Sequence, residues 1–117
     1  MNFSLTRGDT FQMKFKRQFE STKEDITQKP DKMYMTFKRN EYEEDYVLQK
    51  KLSDGSITYN EEDHYYYLTL KPEDTNNLDY GSYVFDIEVI KDGIVKTIQF
   101  GKMTITREIT FANNEED

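Results

Sequence analysis

The fold is decided by residues 78–90, which read LDYGSYVFDIEVI. A glycine at position 81 is followed by apolar residues at every second position, namely Tyr83, Phe85, Ile87 and Val89. Strict alternation of this kind places one face of a β-strand on a core and leaves the other face in water. The stretch therefore predicts a turn that opens a half-buried strand.

The same alternation recurs along the rest of the chain, and no segment shows a long helical period. Only the residues from Pro72 to Leu78 predict a short helical turn, which begins at the proline. Residues 19–31 predict a polar loop. We expect an all-β protein, specifically an immunoglobulin-like antiparallel sandwich of about seven to nine short strands. The predicted strands cover residues 3–6, 10–18, 32–39, 45–52, 56–60, 64–71, 82–91, 94–100 and 102–107.

The glycines predict where these strands turn. Asp54-Gly55 and Asp92-Gly93 are the dipeptides that most often close β-hairpins, because both turn positions need a positive φ angle. The remaining three glycines also fall between predicted strands. We therefore place all five at turns, the others being Gly8, Gly81 and Gly101.

The composition fits one small domain. Among 117 residues only 35% are hydrophobic, but 15% are aromatic, and large rings supply much apolar surface to a small core. The absence of cysteine excludes disulfides, a thiol nucleophile and thiolate metal sites. No stretch has the pattern of a signal peptide or the length of a membrane span. We expect one domain over residues 1–112, a disordered acidic tail over 113–117, and synthesis in a reducing cytoplasm.

The charge is unevenly distributed. The net charge is −7, with +4 over residues 1–40 and −11 over the remainder. An acidic chain is a poor ligand for nucleic acid, whose affinity depends on contacts between basic side chains and phosphates. The asymmetry predicts either an electrostatic orientation of subunits or, the reading that we favour, a solvated surface.

No residue pattern predicts catalysis, a cofactor or a metal. His64 is the only histidine, so a zinc site lacks ligands, and we expect an exposed strand residue there. The acidic groups at 41–45 and 61–63 lack the spacing of calcium loops, which favours solvated loops. Arg7-Gly8-Asp9 is the tripeptide that integrins bind, but it coincides with a turn that needs glycine. Since no set of nucleophile and base is present, we predict a protein that is not an enzyme.

The tyrosines are the candidate interface. In Tyr65-Tyr66-Tyr67, alternation sends Tyr65 and Tyr67 to the face opposite Tyr66. Exposed tyrosines suit protein contacts and also stacking on sugars. We predict an interface that includes Tyr65, Tyr67 and Tyr34, while simple coverage of a sheet face remains an equal alternative.

Part of the opening stretch resembles the corner between strands E and F of immunoglobulin-like domains. That family has the pattern Asp-x-Gly-x-Tyr-x-Cys, and Asp79, Gly81 and Tyr83 match it. Phe85 stands at the cysteine position. The resemblance implies that the Tyr83 hydroxyl bonds to the backbone just upstream, and that Phe85 fills the volume of the missing disulfide.

A wider resemblance covers residues 5–110 and depends on the order of several short motifs. Gly8-Asp9-Thr10-Phe11 opens a strand, Pro72-Glu73-Asp74-Thr75 precedes the corner, and Gly101-Lys102-Met103-Thr104-Ile105 follows it. This order is similar to small immunoglobulin-like structural proteins of tailed phages and prophages, such as the amino-terminal domain of the baseplate upper protein.

This wider resemblance implies a structural protein of a phage or prophage particle, in the tail, neck or baseplate, which binds itself or other virion proteins. The protein would be made in the bacterial host cytoplasm and then reside in the virion. The alternative is a carbohydrate- or receptor-binding module that uses the exposed tyrosines. Neither function involves nucleic acid, a membrane or a cofactor.

Overall fold

The computed structural model describes residues 1–107, which form eight strands and one short helix. The prediction of an all-β protein is confirmed. Residues 108–112 of the predicted domain and the predicted tail over 113–117 lie outside the described residues. The elements are β1 Asn2–Thr6, β2 Phe11–Lys16, β3 Lys32–Lys38, β4 Leu48–Lys51, β5 Ile57–Tyr59, β6 Tyr65–Leu70, α1 Pro72–Thr75, β7 Gly81–Lys91 and β8 Ile94–Thr106.

The strands form a five-stranded sheet in the order β1-β8-β7-β3-β4 and a three-stranded sheet in the order β2-β6-β5. Every pair of neighbours is antiparallel except β1 and β8, which run parallel from Asn2 beside Lys102 to Thr6 beside Thr106. The expectation of a wholly antiparallel architecture is therefore wrong for this pair. Because β1 and β8 are far apart in the chain, no tight turn forces them to be antiparallel.

The two Asp-Gly dipeptides behave differently. Asp92 and Gly93 close the β7–β8 hairpin with φ angles of 52° and 78°, as predicted. Gly55 also has a positive φ, of 81°, but its turn leads from β4 in one sheet to β5 in the other. The hairpin prediction at Asp54-Gly55 is wrong, because each flanking strand pairs with a strand that is not its neighbour across the turn.

Gly101 is not at a turn. The two strands predicted over 94–100 and 102–107 are one strand, β8, and Gly101 lies within it opposite Phe85. A Cβ atom at this position would meet the carbonyl oxygen of Met1 and the ring of Phe85. Glycine is needed here so that neighbouring segments of the same chain can pack closely, rather than for a change of chain direction. The other strands lie where predicted, with the largest boundary difference at β4, which begins at Leu48 rather than at residue 45.

One core lies between the two sheets. Phe3 in β1 stacks on Phe11 in β2 with ring centroids 4.9 Å apart, which joins the sheets at one end. Phe85, predicted to be in the core, is buried between Phe3 and Phe37 at centroid distances of 5.6 and 5.3 Å. Such ring pairs add stability beyond the area that they bury. The buried residues are Leu5, Phe15, Met33, Met35, Phe37, Ile57, Tyr66, Leu68, Leu70, Tyr83, Phe85, Ile87, Val89, Met103 and Ile105.

The short helix α1 is bonded to strand β4 and to the β1–β2 turn. The Asp74 carboxylate accepts hydrogen bonds from the Lys71 backbone amide at 2.8 Å and from the buried Lys50 ammonium at 2.7 Å. Buried Thr75 accepts a hydrogen bond at its hydroxyl from the Gly8 amide at 2.9 Å. The helix, which precedes β7 in the chain, therefore links the β1–β2 turn to β4.

The corner has the hydrogen bond that the resemblance implies. The buried Tyr83 hydroxyl donates to the backbone carbonyl of Asp79 at 2.8 Å, and Gly81 between them has a φ of 125°. The Asp79 carboxylate is exposed and lies 3.1 Å from the Arg39 guanidinium. The hydroxyl thus closes the turn that starts β7.

The corner bond makes a measurable contribution to stability. Tyr83→Phe should lower the free energy of unfolding by about 0.5–1.5 kcal/mol, since it removes one hydrogen bond and keeps the ring. In urea, the midpoint should fall while the slope stays unchanged. Tyr34→Phe is the matched control, because within residues 1–107 the Tyr34 hydroxyl makes no hydrogen bond. An equal effect of the two substitutions would contradict the role of the corner.

Candidate functional site

The outer face of the three-stranded sheet carries Tyr65 and Tyr67. Tyr66, between them, is in the core, as alternation predicts. The two outer rings lie side by side with centroids 6.2 Å apart, and both are half-buried rather than exposed. We call this surface, with Lys14 and Lys16 of the neighbouring strand β2, the tyrosine face.

The tyrosine face is occupied by its own contacts. The Lys14 and Lys16 ammonium groups lie 4.4 and 4.7 Å from the centre of the Tyr65 ring, which is the distance of a cation–π contact. The Tyr67 hydroxyl donates to the Asp63 carboxylate, and this bond raises the pKa of Tyr67 and lowers the pKa of Asp63. The tyrosine face is therefore a self-contained polar network.

Tyr34 lies elsewhere. It is on the outer face of the five-stranded sheet, paired with Lys51 on one side and Glu88 on the other. The structure therefore does not bring Tyr34 to Tyr65 and Tyr67, and the predicted three-tyrosine interface is not one surface. Tyr34 is separated from the other two tyrosines because β3 and β6 belong to different sheets. Alternation within one strand shows which side chains point outward but not which sheet the strand joins.

Asp25 anchors the loop between β2 and β3. Its carboxylate accepts hydrogen bonds from Lys16 at 3.3 Å and Gln18 at 3.1 Å, and lies 2.9 Å from Nδ1 of His64. The bond to His64, then that to Gln18, lowers the pKa of Asp25 from 3.8 to about 2. His64 is half-buried in a turn with a φ of 64°, so the expectation of an exposed strand residue is wrong. The turn that ends at His64 begins at Asn60 and aims the ring at the loop.

The other candidate groups are also involved in local structure. Arg7 of the Arg7-Gly8-Asp9 tripeptide packs over the Tyr80 ring at 4.3 Å and lies 3.4 Å from the Leu78 carbonyl oxygen. Within residues 1–107, no group of three or more histidine or acidic side chains is placed to hold a metal ion. In the same residues, no helix is long and apolar enough to cross a membrane.

The amino-terminal half of β8 is an uncovered sheet edge. Strand β1 pairs only with residues from Lys102 onward, and residues 94–99 pair on one side with β7. Within residues 1–107, their other side has no backbone partner. Ile94, Val95 and Phe100 are 70%, 57% and 71% exposed. We call residues 94–100 the open β8 edge.

Ile94 and Phe100 are large apolar residues that lie outside the core. Phe100 pairs with Asp86 and so projects from the outer face, opposite to Met103 in the core. Beyond it, a β-bulge near Ile87 and Glu88 shifts the register, so alternation is not maintained along β8. The sequence holds one signal of this open edge. The strand predicted over residues 3–6 is shorter than those predicted over 82–91 and 94–100, so it cannot cover their full length.

An acidic groove of about 710 Å³ lies beside the open β8 edge, on the outer face of the five-stranded sheet. Its acidic residues on β7 are Asp86 and Glu88, and the exposed Phe100 ring forms one wall. Within residues 1–107, neither carboxylate has a hydrogen bond or ion pair. Burial raises the pKa of Asp86, and the charge of Lys38 offsets this only in part. Glu41, Lys38 and Lys102 complete the charged lining, so three acidic side chains face two lysines next to the open backbone groups.

The Asp25 network predicts a pH-dependent stability. Because the pKa of Asp25 is lower in the folded protein than its ordinary value, its ionised form stabilises the fold above about pH 4. This contribution should disappear as the pH falls through about 2. Asp25→Asn should therefore be less stable than wild type at pH 7, and the difference should shrink on acidification in urea unfolding curves. Glu62→Gln, an exposed change, is the control. A difference that persists at pH 2 would contradict the assignment.

Comparison with known proteins does not add a family to these observations. No family model matches the chain, and no curated protein matches it. The geometry of these surfaces and the order of the sequence motifs therefore carry the functional inference. Of these surfaces, the open β8 edge with its acidic groove has the least internal bonding.

Proposed function

We propose that this protein is a non-catalytic assembly component that acts through protein–protein contacts at the open β8 edge. The observation that carries the proposal is the juxtaposition of unpaired backbone groups at residues 94–99 with the exposed side chains of Ile94, Val95 and Phe100. An edge of this kind is a template for another strand, which adds main-chain hydrogen bonds and buries the apolar side chains.

The bonding of the polar groups supports a non-catalytic role. Asp25 and His64 are close together, but Lys16 and Gln18 also bond to Asp25, so its carboxylate is committed to holding a loop. In residues 1–107, His64 is bonded to Asp25 and to no serine or threonine hydroxyl that it would activate. A hydrolytic site needs a nucleophile within reach of its base.

We also propose that the two sheets form an immunoglobulin-like sandwich. The strand order β2-β6-β5 corresponds to strands B, E and D of that fold, and β8-β7-β3 corresponds to G, F and C. β4 then takes the place of the additional strand C′, next to C. The bond from Tyr83 to the Asp79 carbonyl supports the same assignment, because that fold has a tyrosine corner with a bond of this kind at the start of strand F.

Within this proposal, the protein belongs to a phage or prophage particle, in the tail, neck or baseplate. The support is the motif order over residues 5–110 together with an edge suited to repeated contacts. Particles are built by repeating one contact under symmetry, so partners would be further copies or other virion proteins. The protein would be made in the host cytoplasm and then incorporated into the virion.

Carbohydrate binding is the weaker alternative. A sugar ring would have to stack on an open tyrosine, but two lysines lie over the Tyr65 ring and Asp63 binds the Tyr67 hydroxyl. Displacing them would cost those contacts. The contacts of the tyrosine face therefore favour the proposal of protein assembly.

The proposal is tested by blocking the open β8 edge. Size-exclusion chromatography with light scattering should detect a complex of the protein with itself, or with the products of genes adjacent to its own. Val95→Lys/Phe100→Lys should abolish that complex, because it places charge on the apolar edge. Tyr42→Lys/Tyr46→Lys is the matched control, since both tyrosines are exposed but lie in the β3–β4 loop.

Two outcomes would contradict the proposal. One is the absence of any complex, with itself or with any of those products, at high protein concentration. The other is a glycan that binds wild type and is lost in Tyr65→Ser/Tyr67→Ser, which would give the lead to carbohydrate binding.

A further inference from the structure

We propose that the occupant of the open β8 edge is strand β2 of a second copy of this chain, so that copies join head to tail. This inference rests on the proposed assembly function and names its partner. Strand β2 is the edge of the three-stranded sheet and pairs with β6 on one side. Within residues 1–107, Phe11–Lys16 has no backbone partner on its other side. Both open edges therefore offer six residues, 11–16 and 94–99.

The charges of the two edges are complementary. The outer face beside the open β8 edge carries Asp86 and Glu88, which have no ion pair within residues 1–107. The outer face of β2 carries Lys14 and Lys16, and Lys14 is exposed and outside any ion pair of the described chain. Lys14 also lies over the Tyr65 ring of its own copy. When β2 lies beside β8, its flexible stem can move from that ring across Phe100 toward the carboxylates, which exchanges a cation–π contact for a charge pair. Burial raises the pKa of the Asp86 carboxyl, against the opposing charge of Lys38.

The apolar residues are complementary on the other face. Phe11 and Met13 lie on the core side of β2 and are only half-buried at its edge. On β8, Ile94 is exposed, and Ile98 is a partly buried side chain packed against the core. In a continuous sheet these four side chains would lie on the same face and shield each other from water.

Pairing of like edges is less favourable. Two β8 edges around a two-fold axis would bring the two Lys96 side chains and two acidic grooves toward each other. Two β2 edges would do the same with Lys14 and Lys16. Like charges in neighbouring positions of adjacent strands are destabilising. The charges therefore favour a contact between two different edges, which leaves one free edge of each kind at the ends of a dimer. Such a contact generates a closed ring or an open filament.

The inference is tested with two variants that each block one edge. Val95→Lys/Phe100→Lys blocks β8 and leaves β2 intact, whereas Gln12→Glu/Lys14→Glu reverses the charge of β2 and leaves β8 intact. All four side chains are exposed, and circular dichroism with urea unfolding checks that each variant is folded. Sedimentation velocity at several concentrations measures association.

Wild type should form species larger than a dimer as concentration rises, and this association should weaken with salt because the contact includes charge pairs. Each variant alone should stay monomeric. An equimolar mixture of the two should form a dimer and nothing larger, because only one productive contact remains.

Three results would overturn the inference. If the β2 variant associates as well as wild type, the β8 edges pair with each other. If the mixture of the two monomeric variants stays monomeric, the β2 edge of one copy does not bind the β8 edge of another. If wild type is monomeric alone but binds a neighbouring gene product through β8, the occupant is another protein, and the proposed function stands without this inference.

Discussion

The parallel pairing of β1 with one end of β8 is the constraint on which the rest of the structure depends. It begins where the Met1 amino group donates to the Phe100 carbonyl at 3.1 Å, beside Gly101. Because Gly101 has no side chain, the Met1 backbone and the Phe85 ring can both pack closely against it. The register that follows places Phe3 over Phe11 and Phe85, which closes the core between the two sheets.

The same pairing determines what remains open. Strand β1 covers Lys102–Thr106 and then turns at Arg7 toward the other sheet, so residues 94–99 of β8 keep one free side. The turn also makes β2, rather than β1, an edge of the three-stranded sheet. The pairing of β1 with the carboxy-terminal half of β8 therefore leaves both edges uncovered. These are the two edges that we propose bind each other.

Much of the fold was predictable because alternation, Asp92-Gly93 and the corner at Tyr83 are local signals. The positions of the strands follow from the alternation of core-facing and solvent-facing side chains. A tight turn with two positive φ angles is specified by only two residues. The partner of each strand is not local information. For this reason the sequence predicts a hairpin at Gly55, whose flanking strands lie in different sheets, and a turn at Gly101, which lies within β8.

The candidate site was less predictable than the fold. Alternation correctly sent Tyr65 and Tyr67 outward, but it does not show that β2 brings two lysines over the Tyr65 ring. Nor does it show that Phe100 borders an acidic groove, since Asp86 belongs to a different strand. Surfaces formed by several strands become visible only when the sheet order is known.

Hydrogen exchange tests the central claim most directly, because it reports on the backbone groups of the two open edges. The amides of residues 94–99 and of Phe11–Lys16 should exchange more slowly at high than at low protein concentration, and both segments should gain protection over the same concentration range. The amides of β7, already paired on both sides by β3 and β8, provide the internal reference. Unchanged exchange in both edges up to high concentration would contradict the account.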